Sequence, residues 1–582
     1  MPIGASRHLQ RMGITLAFLT AYAASAVGGE PSPTIPAESR WVKMKHGSVA
    51  MIEKAISKDL LMRPSEERRY LRYISFCEVY ESMAAEDSLL GAILGEIRSG
   101  AFAPEVKPGG YVYYSGRLYI SFQHFPSDDE YSEAMSKVRH NEMVRHEKAL
   151  SKLLNSLSQE QEVSRPVQLT LDALPAGCLY RINLQAYGWS TDLWARIAAE
   201  DRYSRANCQD MGWGSIRAST ACEVPCIRGD WLLYTASRAP WYEATLKLPR
   251  TARELERRLG VDVEADIRSG RAYRAGVVAS EVSPNNRLLE RHELGAYTGY
   301  YWKSYDFKDN IPSHRKDLRS TPYGPGTGPG RFVHDANEII FSLPNGLQAY
   351  MITNAVGERL ETAPIEIVSD TFRRDHIVRT AVSCIRCHEA GLMPLDYIWS
   401  AALKRNVRRP RLVDRIAADR KDRIKSLYRS SDEMAAIVRL DSGRFLDAMA
   451  ESGYRFDEED YGEPIESCVA RFETDLALPN AAGELGVSSG ALSQVLEERG
   501  APLENIAGLR FETSRRADVS PGTIAFRDGT IEVTFSTSEG QEKANTSVSV
   551  SLTGTRVIKR AVFEESYANI LRVVRQTQGG SR

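Results

Sequence analysis

The segment Cys384-Ile385-Arg386-Cys387-His388 constrains the fold and chemistry of this 582-residue chain more than any other feature. Two thiols separated by two residues fit on one helical turn, and the histidine follows the second thiol directly. This Cys-x-x-Cys-His pattern is the attachment signature of c-type haem. Cys384 and Cys387 would form thioether bonds to the porphyrin, and His388 would be the proximal iron ligand. The pattern predicts one covalently bound haem c.

Two other kinds of site also use closely spaced cysteines. A structural zinc site would need a second Cys/His pair at ligand spacing, and a thioredoxin-like site would use the dithiol itself. The sequence contains no second Cys-x-x-Cys, and three residues separate Cys222 from Cys226. The sequence therefore favours haem over zinc binding or dithiol exchange.

The N-terminus has the features of a secretory signal peptide. Arg7 and Arg11 precede a short apolar run that begins at Gly13, and Ala24-Ser25-Ala26 fits the rule for a small-residue cleavage site. The run is too short to span a bilayer easily, so we expect cleavage after Ala26, with an uncleaved anchor as the alternative. No later stretch approaches ~20 apolar residues, so we expect no transmembrane span in the mature chain. These features predict a periplasmic or secreted protein.

Net charge and length limit the possible partners and the domain count. A formal net charge of -1 argues against a nucleic-acid partner, which would favour a basic protein. The segment from Lys404 to Arg429 holds eleven Lys and Arg against three Asp. Such a segment could bind an acidic redox partner protein, or it could be an ordinary solvated helix face. The length predicts about three or four domains.

Six cysteines lie outside the haem motif. In an oxidising compartment the closely spaced Cys208, Cys222 and Cys226 could form a disulfide within one loop. Buried free thiols are equally compatible with the sequence, and the pairing cannot be deduced from it. The six are Cys77, Cys178, Cys208, Cys222, Cys226 and Cys468.

Apolar residues at helical spacing predict that the first region is helical. The segment Ser65–Gly95 shows this spacing, with Leu71 and Ile74 among its apolar positions. Further along, Tyr111–Tyr114 and Leu118–Phe122 flank a short polar turn and predict a hairpin inserted among the helices. The next region mixes strand-like and helical segments and is rich in tryptophan, which we interpret as core packing rather than a ligand cleft.

The region before the haem motif predicts an antiparallel sheet. Tyr300–Phe307 has the pattern of a half-buried strand, and Pro344-Asn345-Gly346 between two apolar runs predicts a hairpin. Ile365–Val368 is predicted to add a third strand, whereas Ser283–His292 is predicted to be a turn that enters a short helix. The haem motif itself is predicted to lie on a helix from Asp375 to Glu389.

The C-terminal part predicts helices followed by a small hairpin, whose turn is Asp528-Gly529, and a last amphipathic helix. The fold class is therefore α+β and multidomain, with an antiparallel sheet leading into a helical haem region. The predicted regions are a signal peptide at 1–26, a helical region with an inserted hairpin at 27–159, a mixed α/β Trp-rich region at 160–275, a c-type haem domain at 276–480 and a C-terminal helix and hairpin region at 481–582.

The sixth iron ligand determines which function the haem would serve. A methionine opposite the histidine fills the sixth coordination position of the iron, which suits one-electron transfer. Met393 is too close in sequence to the haem histidine to cross the ring, whereas Met434 and Met449 are far enough downstream to do so. Met434 is the preferred distal candidate, and His334 is the alternative. Each of these residues also has an ordinary structural interpretation, as a core methionine or a hydrogen-bonded turn histidine.

Four segments, taken in order, resemble a family of large secreted bacterial proteins found in planctomycetes and related soil bacteria. These proteins carry a single c-type haem motif and have no assigned role. The resemblance implies haem binding and electron transfer, with Cys384, Cys387 and His388 on the family's motif. The chain departs from the family at Glu389 and Leu392, on either side of Gly391, and in its hairpin insertion near Tyr113. The segments are Ser283–His292, Tyr301–Phe307, Glu338–Met351 and Ser383–His388.

Three functions remain compatible with the sequence. The first is an exported monohaem c-type cytochrome that transfers single electrons in the periplasm to a redox partner protein. The second is a haem enzyme with an open distal site, either peroxidase-like or resembling the cytochrome P460 type. The third is a haem-containing sensor or binding protein. The large size favours the last two, because a simple electron carrier needs only ~100 residues.

Overall fold

The computed structural model describes about two thirds of the chain. The predicted signal peptide at 1–26 lies outside the described residues, and so does the basic segment from 404 to 427. The described ranges are 48–85, 111–114, 118–121, 128–170, 174–209, 211–277, 283, 285, 287–309, 311, 314–316, 324–325, 331–370, 373, 375–393, 428–455, 463–488, 491–492, 511–515, 523–527, 530–539, 542–551 and 557–579.

The chain divides into two compact units, each built from more than one stretch of sequence. The first unit comprises 1–47, 86–136 and 501–557, and the second comprises 48–85, 137–500 and 558–582. The haem motif belongs to the second unit. The predicted division into sequential regions stays a prediction, since the two units each combine distant parts of the chain.

Eighteen strands are present in the described parts of the chain. They are β1 Leu71–Ser75, β2 Tyr111–Tyr114, β3 Leu118–Ser121, β4 Val167–Gln168, β5 Leu179–Asn183, β6 Cys226–Arg228, β7 Tyr273–Val277, β8 Arg287–Glu293, β9 Tyr300–Asp306, β10 Ala336–Ser342, β11 Gln348–Asn354, β12 Arg359–Leu360, β13 Leu476–Ala477, β14 Phe511–Arg515, β15 Thr523–Arg527, β16 Thr530–Glu539, β17 Glu542–Ser551 and β18 Val557–Ile558.

The helices are mostly short and lie mainly in the second unit. They are α1 Ser48–Leu61, α2 Ser65–Arg68, α3 Asp128–Ser156, α4 Thr191–Ala198, α5 Arg202–Asn207, α6 Gly214–Thr220, α7 Gly229–Ala236, α8 Trp241–Thr245, α9 Ala252–Leu259, α10 Val263–Ser269, α11 Val382–Cys387, α12 Ser431–Glu451, α13 Pro464–Phe472, α14 Leu478–Glu484 and α15 Arg560–Gly579. Helices and sheets together confirm the α+β class.

A four-stranded sheet of the second unit has the order β4-β5-β1-β6. Its strand β1 pairs antiparallel with β5 and parallel with β6, and all five of its residues are buried. The prediction of a continuous helix through Leu71 and Ile74 is therefore wrong. A central strand covered on both faces loses the alternation of polar and apolar residues, so its apolar positions also fit a helical pattern.

A six-stranded antiparallel sheet of the second unit has the order β12-β11-β10-β9-β8-β7 and positions the haem motif. The predicted hairpin is confirmed, because β10 pairs with β11 from Ala336↔Asn354 to Ser342↔Gln348. The predicted helix within Ser283–His292 is wrong, because that segment contains strand β8. The predicted strand at Ile365–Val368 is wrong too, because residues 365–367 form a turn and the edge strand is β12.

The first unit contains a separate six-stranded sheet with the order β14-β17-β16-β15-β2-β3. Both predicted hairpins are confirmed, since β2 pairs with β3 and β15 pairs with β16. They belong to one sheet, in which β15 and β2 pair in parallel. The hairpin near Tyr113 is therefore part of the sheet formed by the C-terminal strands.

Helix α12 begins at a capping box, which explains why the sequence starts a helix there. The Ser430 hydroxyl accepts a hydrogen bond from the Glu433 N–H, and the Glu433 carboxylate accepts one from the Ser430 N–H. Two otherwise unpaired backbone donors are thereby satisfied. None of the helices in the described ranges is both long enough and apolar enough to cross a membrane.

Candidate haem site

The haem motif lies on the short helix α11, which spans Val382–Cys387. The predicted helix over 375–389 is wrong in length. Arg379 is held in an isolated bridge with Thr362, and Ala381 has a positive φ of 71°. Because a helix cannot include either conformation, α11 begins only at residue 382.

A cavity of about 410 Å³ separates α11 from the six-stranded sheet of the second unit. This volume falls within the range of about 300–1,000 Å³ that is usual for small-molecule and cofactor sites. Cys384, Cys387 and His388 all line it. The apolar part of the lining is Leu289, Trp302, Ala336, Ile340, Ile352, Ala363, Ile367, Val368, Val378, Leu392, Met393 and Val438.

Both motif cysteines are free thiols in the cavity wall. Cys384 is buried and Cys387 is half-buried. Burial, followed by the nearby Glu338 carboxylate, raises the pKa of the Cys384 thiol well above its ordinary value. Burial also raises the pKa of Cys387, although the Arg386 guanidinium, 3.9 Å from its sulfur, opposes that effect. Both side chains are therefore neutral thiols at neutral pH.

The His388 imidazole is oriented by contacts on two sides. Its Nδ1 lies 3.1 Å from the carbonyl oxygen of Gly391, and its ring stacks on Tyr350 with centroids 6.0 Å apart and planes 25° apart. A carbonyl oxygen only accepts hydrogen bonds, so Nδ1 carries a proton, and Nε2 is the ring nitrogen that faces Glu338. Metal-binding histidines commonly use a backbone carbonyl in this way to fix the tautomer.

Helix α12 supports the loop that carries this carbonyl. The buried Asp441 accepts hydrogen bonds from Arg291 at 2.9 and 3.1 Å and from the indole N–H of Trp302 at 2.8 Å, which ties α12 to the sheet. One residue further along, the Ser442 hydroxyl accepts a hydrogen bond of 3.0 Å from the backbone N–H of Leu392. The sheet, α12 and the loop after the motif together set the position of the histidine.

Glu338, on β10, faces the other edge of the imidazole. Its Oε1 lies 3.6 Å from His388 Nε2. Burial would raise the pKa of Glu338, but its interactions with His388 and Arg287 hold it at about 2, so the carboxylate is ionised. Arg287 Nη1 lies 3.7 Å from Glu338 Oε2, and Arg287 Nε donates to Asp306. The cavity thus contains a cluster of two carboxylates and one guanidinium, in which Asp306 is buried and Glu338 and Arg287 are partly buried.

Two hydrogen bonds to Asp370, which also lines the cavity, fix the position of α11. The Ser383 hydroxyl donates to Asp370 Oδ2 at 3.0 Å, and Arg386 donates to Asp370 Oδ1 at 2.5 Å. Asp370 is buried, so both interactions are shielded from water. The two motif thiols are thereby held on one rigid turn that faces the cavity.

These residues fit a c-type haem. Two thiols on one turn, an adjacent imidazole whose Nε2 has no backbone partner and a largely apolar cavity are the groups that covalent haem attachment requires. The Glu338 carboxylate occupies space next to Nε2 and would have to move towards Arg287. In the described part of the chain, no three His, Cys, Asp or Glu side chains converge as ligands for a metal ion, so the zinc alternative gains no support.

Of the methionines and the histidine considered as distal ligands, only one lines this cavity. Met434 and Met449 are buried on α12 and are not among the lining residues, whereas Met393 is. His334 also lies outside the lining, where its Nε2 donates to Asn337 Oδ1 at 3.1 Å. Burial, together with Lys303, lowers the pKa of His334 to about 4. The identity of the distal ligand stays a prediction.

All eight cysteines are free thiols in this structure, including the set Cys208, Cys222 and Cys226. The sequence reasoning found the thiols and the imidazole but missed Glu338, Arg287 and Asp441. A charged residue within the apolar run Glu338–Phe341 was the available signal for the first of these. The other two had no local signal, because their roles depend on contacts between distant segments.

Comparisons with known proteins add no relatives. No protein-family model matches the chain, and neither the curated proteins nor the solved structures include a similar one. The resemblance to secreted single-haem proteins therefore stays a prediction, and the interpretation of the site depends on its own residues.

Proposed function

We propose that this chain is an exported monohaem c-type cytochrome that binds haem covalently and transfers single electrons to a redox partner protein in the periplasm. The observation that carries the proposal is that Cys384, Cys387 and His388 line one cavity of about 410 Å³. Export is supported by the N-terminal sequence, which begins with charged residues and fits the rule for a cleavage site after Ala26.

Each residue has a defined task in this proposal. Cys384 and Cys387 would anchor the porphyrin through thioether bonds, and His388 Nε2 would be the proximal ligand. Gly391 fixes the tautomer of the imidazole, and Tyr350 limits the rotation of its ring. A bound haem c would supply a one-electron iron couple. The apolar lining excludes water and so limits the reorganisation that accompanies a change of charge.

The test is to produce the full chain in a host competent in cytochrome maturation. We expect a coloured protein whose haem remains attached after denaturation and adds the mass of one haem to the polypeptide. Cys384→Ala/Cys387→Ala should lose the covalent attachment, whereas the matched change Cys468→Ala at a buried thiol outside the cavity should retain it. A colourless wild-type protein with the bare polypeptide mass would contradict the proposal.

A second candidate function is a haem enzyme with an open distal site, and the charged part of the cavity favours it. Glu338, Arg287 and Asp306 bring two carboxylates and one guanidinium into the lining. Charged groups that line a cavity suit proton transfer or the binding of a polar substrate more than simple electron transfer. In this case the ferric protein should be high-spin, and its spectrum should shift when cyanide or peroxide is added.

A further inference from the structure

Two buried cysteines outside the haem site lie next to each other in the four-stranded sheet. Strand β1 ends at Ser75 and β5 begins at Leu179, and these two residues are paired in the antiparallel register. Cys77 follows β1 by two positions, and Cys178 directly precedes β5. The end of one strand and the start of the other therefore bring the two cysteines to the same edge of the strand pair.

Direct contacts join the two cysteines. The Phe76 N–H donates to the Cys178 carbonyl oxygen at 2.7 Å, and the Cys77 sulfur lies 3.8 Å from the same oxygen. A hydrogen bond with the Cys178 side chain, followed by burial, raises the pKa of the Cys77 thiol well above its ordinary value. Cys77 and Cys178 are 3% and 1% exposed, so both thiols lie inside the core, and the interaction between the two side chains makes them neighbours there.

The position of this pair in the chain gives it a structural role. The chain leaves the second unit after Ala85 and returns to it at Lys137. Cys77 lies before this departure, and Cys178 lies after the return. A covalent link between them would hold β1 in its sheet across the whole intervening segment, and a link that closes a long loop constrains the unfolded chain strongly.

We propose that Cys77 and Cys178 form a disulfide bond in the mature protein. The two thiols together lose two electrons and two protons, and one sulfur–sulfur bond forms. The electrons and protons pass to the disulfide of a dithiol–disulfide oxidoreductase, or of oxidised glutathione, which becomes two thiols.

The burial of the pair determines when the bond would form. Thiol–disulfide exchange requires a thiolate and access for the oxidant. In the folded chain both sulfurs are enclosed, and the Cys77 thiol is neutral. Oxidation therefore precedes the closure of β1 against β5, and the enclosed bond then resists reduction until the sheet opens.

The test maps the cysteines of the full-length protein after refolding in a mixture of reduced and oxidised glutathione. Free thiols are alkylated under denaturing conditions without reductant, and the peptides are identified by mass. We expect the Cys77 and Cys178 peptides to be linked and lighter by about 2 Da, the two hydrogens lost, with Cys468 alkylated. Alkylation of both Cys77 and Cys178 in refolded protein would overturn the proposal.

Variants test the consequence for stability and provide the control. Reductant should lower the melting temperature of the oxidised wild type by about 5 °C, and Cys77→Ser/Cys178→Ser should abolish this difference. Cys468→Ser replaces a thiol that is equally buried, and this variant should keep the effect of reductant on the melting temperature. A reductant effect of unchanged size in the double variant would contradict the proposal. Should the double variant not fold, the peptide map of the wild type decides.

The proposal can fail or succeed independently of the haem function. Refolding in glutathione supplies the oxidant in solution, so the result does not depend on export. Haem attachment is read from a second peptide map, made on protein purified from a host competent in cytochrome maturation, as added mass on the peptide that contains Cys384 and Cys387. A linked Cys77–Cys178 pair in both maps, without haem mass in the second, would reject the proposed function alone.

Discussion

His388 and Gly391 contact each other through the imidazole Nδ1 and the backbone carbonyl oxygen, which are 3.1 Å apart. The contact depends on a backbone conformation that only glycine adopts easily, because Gly391 has a φ of +92°. A Cβ at this position would lie 2.8 Å from the Cβ of Ser442. The residue that orients the histidine is therefore constrained both by its dihedral angle and by the adjacent helix.

We expect Gly391→Ala to disturb the haem site. The left-handed conformation and the contact with Ser442 should cost about 1–3 kcal/mol of folding free energy, and the carbonyl should move away from His388 Nδ1. Denaturant unfolding and the visible spectrum of the loaded protein measure the two effects. Gly443→Ala on α12 is the control, since its Cβ would meet nothing within 4 Å. An unchanged spectrum in Gly391→Ala would contradict the orienting role.

In the proposed haem protein, we expect Glu338→Gln to raise the midpoint potential of the iron. The ionised carboxylate lines the same cavity as His388 and would remain there after moving towards Arg287, and a negative charge near the iron favours its oxidised state. Its loss should raise the potential by on the order of 60 mV, a tenfold change in a one-electron equilibrium. A spectroscopic redox titration makes the measurement. The exposed Glu264→Gln is the control and should leave the potential unchanged; a lower potential in Glu338→Gln would rule out the electrostatic explanation.

The stability of the chain should fall between about pH 6.5 and 8 because of the buried His292. Burial alone would lower its pKa, but hydrogen bonds with Asp266 and Glu290, at 2.9 and 3.0 Å, raise it to about 8. The folded protein thus binds this proton more tightly than the unfolded chain, so the stabilisation is complete below about pH 6.5 and is lost as pH rises through 8.

The expected loss is about 2 kcal/mol of the free energy of unfolding, from a pKa difference of about one and a half units. Urea unfolding at a series of pH values measures it. In His292→Gln the decline over this interval should be smaller, whereas the exposed His314→Gln should behave like the wild type. Parallel curves for wild type and His292→Gln would show that another group causes the decline.

The conservative substitution Met434→Leu tests the distal ligand predicted from the sequence. Because Met434 is buried on α12 and is not among the residues lining the cavity, we expect the visible spectrum to remain unchanged. Leucine keeps the volume of the side chain, so the loss of stability should stay below about 1.5 kcal/mol. Disappearance of a band at ~695 nm would instead identify Met434 as the ligand.

The sequence predicted those elements whose signals are local. The hairpin at Pro344-Asn345-Gly346 was recognised because the turn residues themselves determine its conformation. Gly346 has a φ of +87°, and the Asn345 side chain accepts a hydrogen bond from the Leu347 N–H. The motif Cys384–His388 was likewise predicted from spacing. In both cases neighbouring residues determine the conformation or the chemistry.

The sequence did not predict the features that depend on contacts between residues distant in the chain. Strand β8 was not recognised because Glu290 and Arg291 look exposed in sequence, yet both are buried and paired, with Arg274 and with Asp441 respectively. Buried ion pairs of this kind remove the alternation that identifies a strand. Glu338 was overlooked as a site residue for the same reason, because only the folded chain brings it beside His388.

The pairing of β2 with β15 has a consequence for how the first unit is made. Tyr111 pairs with Thr523, more than 400 positions later in the sequence. During synthesis or translocation, one side of β2 therefore stays unpaired until the segment around Thr523 has emerged. Such late, long-range strand pairing is slow and leaves an edge open to wrong partners. Assembly of this sheet should accordingly be the last step of folding and the one most dependent on molecular chaperones.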